Sequence, residues 1–118
     1  MSAPLRLVLS DLARIEGVRC CMVVEKSGLV IEKTVLTEGL DTDKLAAGVA
    51  EVFRGAEKLS SELKIGDPDT IILEYTNGYL LARDIGNALL VVVADSRAVL
   101  GRLRFELKRQ TERVRAAL

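Results

Sequence analysis

Residues that commonly carry out chemistry are sparse in this sequence. Its 118 residues include no histidine, the commonest general base and metal ligand. Two acidic pairs, Asp41-x-Asp43 and Asp67-x-Asp69, have the oxygen ligands that a hard cation prefers. Their positions at a predicted helix start and in a predicted turn fit a helix cap and a turn better. We therefore predict no metal, no cofactor and no catalytic residue.

The motifs of nucleotide and ester hydrolysis are also missing. The sequence has no phosphate-binding segment of the form G-x-x-x-x-G-K-[ST] and no G-x-S-x-G nucleophile elbow. Cys20 and Cys21 are neighbours in a predicted strand, so their side chains point to opposite faces. We interpret both as small reduced core residues. The chain is predicted to bind partners and not to be an enzyme.

One aromatic residue near the C-terminus is surrounded by arginines. Phe105 is three residues after Arg102 and four before Arg109, and these spacings make neighbours on a helix surface. Arg113 extends the same group by one turn. Aromatic residues and arginine dominate interface hot spots, so we predict a partner surface here. The alternative is a single exposed apolar residue of no function, which is common.

Composition narrows the class of protein. Hydrophobic residues make up 49% of the chain and the formal net charge is zero, which indicates one globular domain spanning residues 1–118 and argues against nucleic-acid binding. The charge is uneven, because residues 97–118 carry seven basic and two acidic side chains. No signal peptide and no apolar run of about 20 residues is present, so we expect a cytoplasmic protein without membrane insertion.

Hydrophobic periodicity predicts an α+β fold, in the order helix-β-β-helix-β-β-β-helix. Leu89–Val93 is apolar on both faces, which is typical of a central strand covered by helices above and below. The predicted elements are helix Pro4–Glu16, strands Val18–Glu25 and Leu29–Val35, helix Asp41–Lys64, three strands within Thr70–Ala94, and helix Arg97–Leu118.

Two tight turns are predicted to join the last three strands. Thr76-Asn77-Gly78 contains the Asn-Gly pair that tolerates positive φ in a type I′ turn. Gly86-Asn87 suits the same geometry. The three strands should therefore form an antiparallel meander.

The central helix has more apolar surface than its own sheet requires. Its apolar arc covers about 160°, against the stripe of about 100° that a helix needs to cover a sheet. Gly48 and Gly55 lie seven residues apart at one edge of that arc, and close approach of another backbone is the usual reason for helix glycines. We predict self-association through Gly48, Val49, Val52, Phe53 and Gly55. The alternative is that the glycines only fit this helix onto its own sheet.

The order of elements resembles the Roadblock/dynein light-chain domain family, over nearly the whole chain. Ile15-Glu16-Gly17-Val18 is similar to the family's I-x-G-V segment before the first strand, and Asp41–Ala56 is similar to its Ala-rich central helix. The hairpin Gly78–Ala94, followed by Leu100-Gly101-x-Leu103, resembles the C-terminal end of the family's domain. The resemblance implies a profilin-like, five-stranded antiparallel sheet with strands in the order second, first, fifth, fourth, third. It places the first and last helices on one face and the central helix on the other.

The same resemblance implies a function. Family members form dimers through the third strand, here Thr70–Tyr75, and this adds Ile71, Ile72, Leu73 and Tyr75 to the predicted interface. They regulate or scaffold Ras-like small GTPases without catalytic residues of their own. The prediction is thus a homodimeric, non-catalytic GTPase regulator. The alternatives are a structural or dynein-light-chain-like scaffold without a GTPase, and a small-ligand sensor with a pocket of about 300 Å³ or more inside the helix–sheet layers.

Overall fold

A computed structural model of the chain describes residues 2–118, and its helices and strands follow the predicted order. The elements are α1 Ser2–Ala13, β1 Val18–Glu25, β2 Val30–Val35, α2 Thr42–Lys58, α3 Ser60–Leu63, β3 Thr70–Tyr75, β4 Gly78–Asp84, β5 Ala88–Asp95 and α4 Leu100–Ala117. Within residues 2–118, no helix combines the length and apolarity needed to cross a bilayer.

The five strands form one antiparallel sheet in the order β2-β1-β5-β4-β3, which confirms the predicted topology. β1 and β5 are its centre, where Met22 lies opposite Val91. β5 is apolar on both faces, as a central strand covered twice must be. β2 and β3 form the two edges.

Helices cover both faces of the sheet as predicted. α1 and α4 pack on one face, where Leu9, Leu12 and Leu103 meet Cys21 of β1. α2 packs on the other face, over Cys20. The two cysteines therefore lie in separate core layers, and burial raises the pKa of both thiols.

Several helix limits differ from the predicted ones. α1 ends at Ala13, because the chain turns through residues 14–17 and Gly17 takes a positive φ of 91°. The predicted helix Asp41–Lys64 is broken at Leu59, whose N–H donates to the carbonyls of Ala56 and Glu57. This tightened turn ends α2, and the short α3 follows it.

α4 begins at Leu100, three residues later than predicted. Asp95 explains the delay, since its carboxylate accepts a hydrogen bond from the backbone N–H of Arg97 at 3.0 Å. This bond closes a turn over residues 95–97 in place of a helix cap. Val99 then precedes the helix in an extended conformation without a side-chain cap.

The type I′ prediction for the β3–β4 turn is wrong, and Gly78 is required for another reason. Among the described residues, positive φ angles occur at Lys64 and at five glycines, none of them in this turn. A Cβ on Gly78 would overlap the carbonyl oxygen of Ala94 on the neighbouring strand β5. The glycine therefore permits close approach of two backbones. The type I′ prediction is also wrong for the β4–β5 turn, because Gly86 takes a positive φ of 107° but Asn87 does not.

We expect Gly78→Ala to lower the free energy of unfolding by about 1–3 kcal/mol, because the added methyl group must push two paired strands apart. Gly101→Ala is the matched control, since a Cβ at this exposed helix position meets nothing within 4 Å. The control should leave the free energy of unfolding unchanged or raise it by up to about 1 kcal/mol, because alanine has the higher helix propensity. Urea unfolding measures both, and equal midpoints for the two variants would contradict the predicted overlap.

Candidate interaction sites

The open edge of the sheet at β3 is apolar. Ile71 and Leu73 point toward the α2 layer, and Ile72 points toward the α1–α4 layer. These three side chains are half-buried, while Tyr75 at the strand end is 62% exposed. β3 pairs only with β4, so its outer row of backbone groups is available to another strand.

A groove of about 260 Å³ runs between α2 and this edge strand. We call it the α2–β3 groove, and its walls include Leu45, Gly48, Val49, Val52, Leu73 and Tyr75. Five of these residues belong to the interface predicted from the sequence, namely Gly48, Val49, Val52, Leu73 and Tyr75. Residues from two distant segments thus share one surface, and Val52 is 44% exposed on it.

The glycines of α2 are exposed and do not touch their own sheet. A Cβ at Gly48 or Gly55 would meet nothing within 4 Å. The alternative that they fit α2 onto its own sheet is therefore wrong. Within one copy of the chain these positions cost helix stability, about 1 kcal/mol each against alanine, without a compensating contact.

Phe53 lies elsewhere than predicted. Its side chain is 1% exposed, in the core between α2 and the sheet. The ammonium group of Lys26 lies over the Phe53 ring, 5.9 Å from the ring centroid. Such a residue presents no surface to a second copy, so we leave it out of the proposed interface. Val49, at 4% exposure, contributes only to the groove floor.

A second groove, of about 350 Å³, separates α1 from α4. We call it the α1–α4 groove, and it contains Asp11, Arg14, Arg102, Glu106, Arg109 and Arg113. All three arginines predicted as a partner surface therefore lie together. Phe105 does not line the groove; it lies on the outer side of α4 and is 63% exposed. Sequence reasoning missed Asp11 and Arg14, because only the packing of α1 on α4 brings them here. It also missed Glu106, although its spacing of four residues from Arg102 on the same helix was visible in the sequence.

Ion pairs fix part of this groove. A guanidinium nitrogen of Arg109 lies 2.8 Å from a carboxylate oxygen of Glu106, and hydrogen bonding from Arg109 lowers the pKa of Glu106. Arg113 pairs with Asp11 across the groove at 3.0 Å. Among the described residues, no acidic oxygen lies within ion-pairing distance of Arg14 or Arg102. The groove thus holds four arginines against two carboxylates.

A third depression, of about 600 Å³, lies beside the β3–β4 turn. Turn residues Thr76 and Asn77 line its open side, and Leu45, Leu80 and Val93 of the α2–sheet layer line its inner side. Asp95 lies at one side and accepts hydrogen bonds from Arg97 and from Arg19. The hydrogen bond from the Arg97 side chain is the main cause that holds the pKa of Asp95 well below its usual range.

One acid of each predicted pair has a structural partner. Asp41 caps α2, where its side chain accepts a hydrogen bond from the Lys44 N–H at 3.1 Å, as predicted. Asp69 lies 3.5 Å from the half-buried guanidinium of Arg83. Within residues 2–118, no three histidine, cysteine or acidic side chains cluster closely enough to hold a metal ion.

The fold is a five-stranded antiparallel sheet with helices on both faces and grooves at its surface. Residues 5–94 match the family model of the Roadblock/LC7 domain, and the chain belongs to this family. It is 34% identical to the uncharacterized protein MJ1340 of Methanocaldococcus jannaschii over 92% of this chain and 95% of that one. The uncharacterized protein MJ0714 of the same organism is 35% identical over 92% of each chain.

Solved structures share the fold. A structure described as MglB with a tetrameric arrangement is 25% identical, covers 100% of this chain and 95% of its own, and gives a TM-score of 0.89. The gliding protein MglB of Thermus thermophilus is 24% identical over 99% of this chain and 92% of its own, again with a TM-score of 0.89. A profilin in complex with rabbit actin is similar at a TM-score of 0.70 and 18% identity, which agrees with the profilin-like architecture.

Asp95 should make stability depend on acid pH. Its pKa is lower in the folded chain than in the unfolded chain, so its stabilising effect is present above the ordinary aspartate pKa and is lost as the pH falls through the folded pKa. We expect Asp95→Asn to lower the urea midpoint at neutral pH and to lower it less below about pH 4. Asp67→Asn, in an exposed loop, is the control. A deficit in Asp95→Asn that stays constant with pH would contradict this assignment.

Proposed function

We propose that the chain acts as a single Roadblock domain, forms a homodimer, and serves as a non-catalytic platform that regulates a Ras-like small GTPase. The observation that carries the proposal is the apolar open edge of β3 lying beside the α2–β3 groove. Membership of the Roadblock/LC7 family supports it, and so does the similarity to the MglB gliding protein.

In the proposed dimer, β3 pairs with the β3 of a second copy. The outer N–H and C=O groups of Thr70–Tyr75 then gain partners, and the two sheets join into one of ten strands. The two α2 helices lie side by side above this junction. Gly48 and Gly55 allow their backbones to come close, and Val52 gains cover that one copy does not give it. The interface also includes Ile71, Ile72, Leu73 and Tyr75.

The regulatory part of the proposal has a physical basis. The sequence lacks a P-loop, so nucleotide chemistry would belong to the partner. Phosphoryl transfer depends mainly on positioning and charge stabilisation, so a platform speeds hydrolysis by holding the GTPase's own residues in place. A rigid ten-stranded dimer provides a broad surface for that purpose.

We expect Gly55→Glu and Val52→Glu to convert the dimer into a folded monomer. Both positions are open in one copy, so the glutamate has room within the chain but meets a like charge from the second α2. Light scattering after size exclusion gives the mass, and circular dichroism checks folding. Gly101→Glu on α4 is the control and should remain dimeric. Dimers of unchanged stability in both α2 variants would exclude this interface.

The Gly55→Ala variant gives a subtler test. In an isolated copy, alanine should stabilise α2 by about 0.5–1 kcal/mol. If the backbone of a second copy lies close, the added methyl group should destabilise the dimer. The dimer dissociation constant should then rise at least about tenfold. Gly101→Ala should show only the gain in helix stability. Tighter dimerisation of Gly55→Ala would contradict close helix approach.

A Ras-like GTPase encoded beside this gene should bind the dimer in one nucleotide state, and its single-turnover hydrolysis rate should change. The proteins are mixed with the GTPase loaded with GDP or with a non-hydrolysable GTP analogue. Monomeric Gly55→Glu serves as the control and should lose the effect. No complex in either state and no rate change would overturn the regulatory role. A pull-down containing only other proteins would favour the scaffold alternative.

A further inference from the structure

We propose that the α1–α4 groove binds an acidic peptide segment of a protein partner. Arg14 and Arg102 receive its carboxylates, and Phe105 receives an apolar side chain beside them. This site is separate from the proposed dimer interface, because α1 and α4 cover the sheet face opposite α2. It does not depend on the proposed function.

The groove is held in shape before any ligand arrives. Glu106 is 9% exposed and binds Arg109 through two hydrogen bonds, of 3.2 and 2.8 Å. Arg113 bridges the two helices by bonding Asp11 at 3.0 Å and Gln110 at 2.8 Å. Two of the four arginines are thus anchored. Because these side chains are already held in place, they lose less conformational entropy when a ligand binds.

The remaining charge specifies the ligand. Arg109 and Arg113 are ion-paired with Glu106 and Asp11, whereas no ion pair involves Arg14 or Arg102 among residues 2–118, and Glu106 attracts Arg102 only at longer range. Both side chains belong to exposed residues on the two opposite walls of the groove. Guanidinium groups bind carboxylates in a bidentate geometry, so acidic side chains complement this pair.

Phe105 favours a peptide over a simple anion. It lies one helical turn from both Arg102 and Arg109, and it is 63% exposed. A free phosphate ion would gain nothing from this ring. A peptide with alternating acidic and apolar residues would use both features, and the combination of arginine with an aromatic anchor is typical of protein–protein hot spots.

The test uses a fluorescein-labelled peptide, Glu-Glu-Leu-Glu-Glu-Leu-Glu-Glu, and fluorescence anisotropy with the full chain. We expect Arg14→Glu and Arg102→Glu each to weaken binding at least about tenfold, and Phe105→Ala about fivefold. Arg104→Glu is the matched control: it makes the same charge change on the same helix, outside the groove, and should cost less than about twofold. A peptide with lysine in place of glutamate should not bind.

Several outcomes would overturn the proposal. If Arg104→Glu weakened peptide binding as much as Arg14→Glu and Arg102→Glu do, the peptide would be attracted to the basic helix in general and not to a specific site. Full competition by millimolar inorganic phosphate, with no effect of Phe105→Ala, would show a simple anion site. Tight binding of duplex RNA to the same arginines in place of the peptide would indicate nucleic acid. Mass by light scattering separates these results from dimerisation. It is measured for Arg104→Glu above all, because Arg104 lies beside Thr70 and Ile72 of the proposed dimer edge.

Discussion

The pairing of β1 with β5 is the interaction on which the rest of the structure depends. It is the single strand contact between the hairpin of β1 and β2 and the meander of β3 to β5. Because both strands are apolar on both faces, each face needs its own helical cover. One face is covered by α1 and α4, from the two ends of the chain, and the other by α2. The arrangement of one sheet between two helical layers follows from this β1–β5 strand pair.

Hydrophobic period and turn residues were sufficient for the order of the elements, because both report on local structure, whereas the strand order in the sheet came from the resemblance to the Roadblock family. The sequence was less reliable where a residue's role depends on distant contacts. The wide apolar arc of α2 did not distinguish the side facing its own sheet from the side facing out, so Phe53 was placed on the wrong side. Gly78 was predicted as a turn residue, but it is the first residue of β4, and it is required because a side chain there would overlap the carbonyl of Ala94 on β5.

The same limit applies to the grooves. Arg102, Arg109 and Arg113 recur at helical spacing, so their common face was visible in the sequence. Arg14 and Asp11 lie about ninety residues away and reach that face only when α1 packs against α4. The two grooves also lie on opposite layers of the sheet. The two grooves share no lining residue, so the two proposed binding events would not compete for the same side chains.

The two edges of the sheet have different chemistry. On β2, Glu32 pairs with Arg6 of α1 at 3.3 Å, and the Lys33 ammonium donates to the Thr42 hydroxyl at 2.8 Å. These bonds tie the edge to the helices on both sides, and charged side chains discourage further strand addition. If β3 edges pair with each other, only β2 edges remain at the ends of the joined sheet. Growth then stops at two copies, and the protein is protected from polymerising into a fibre.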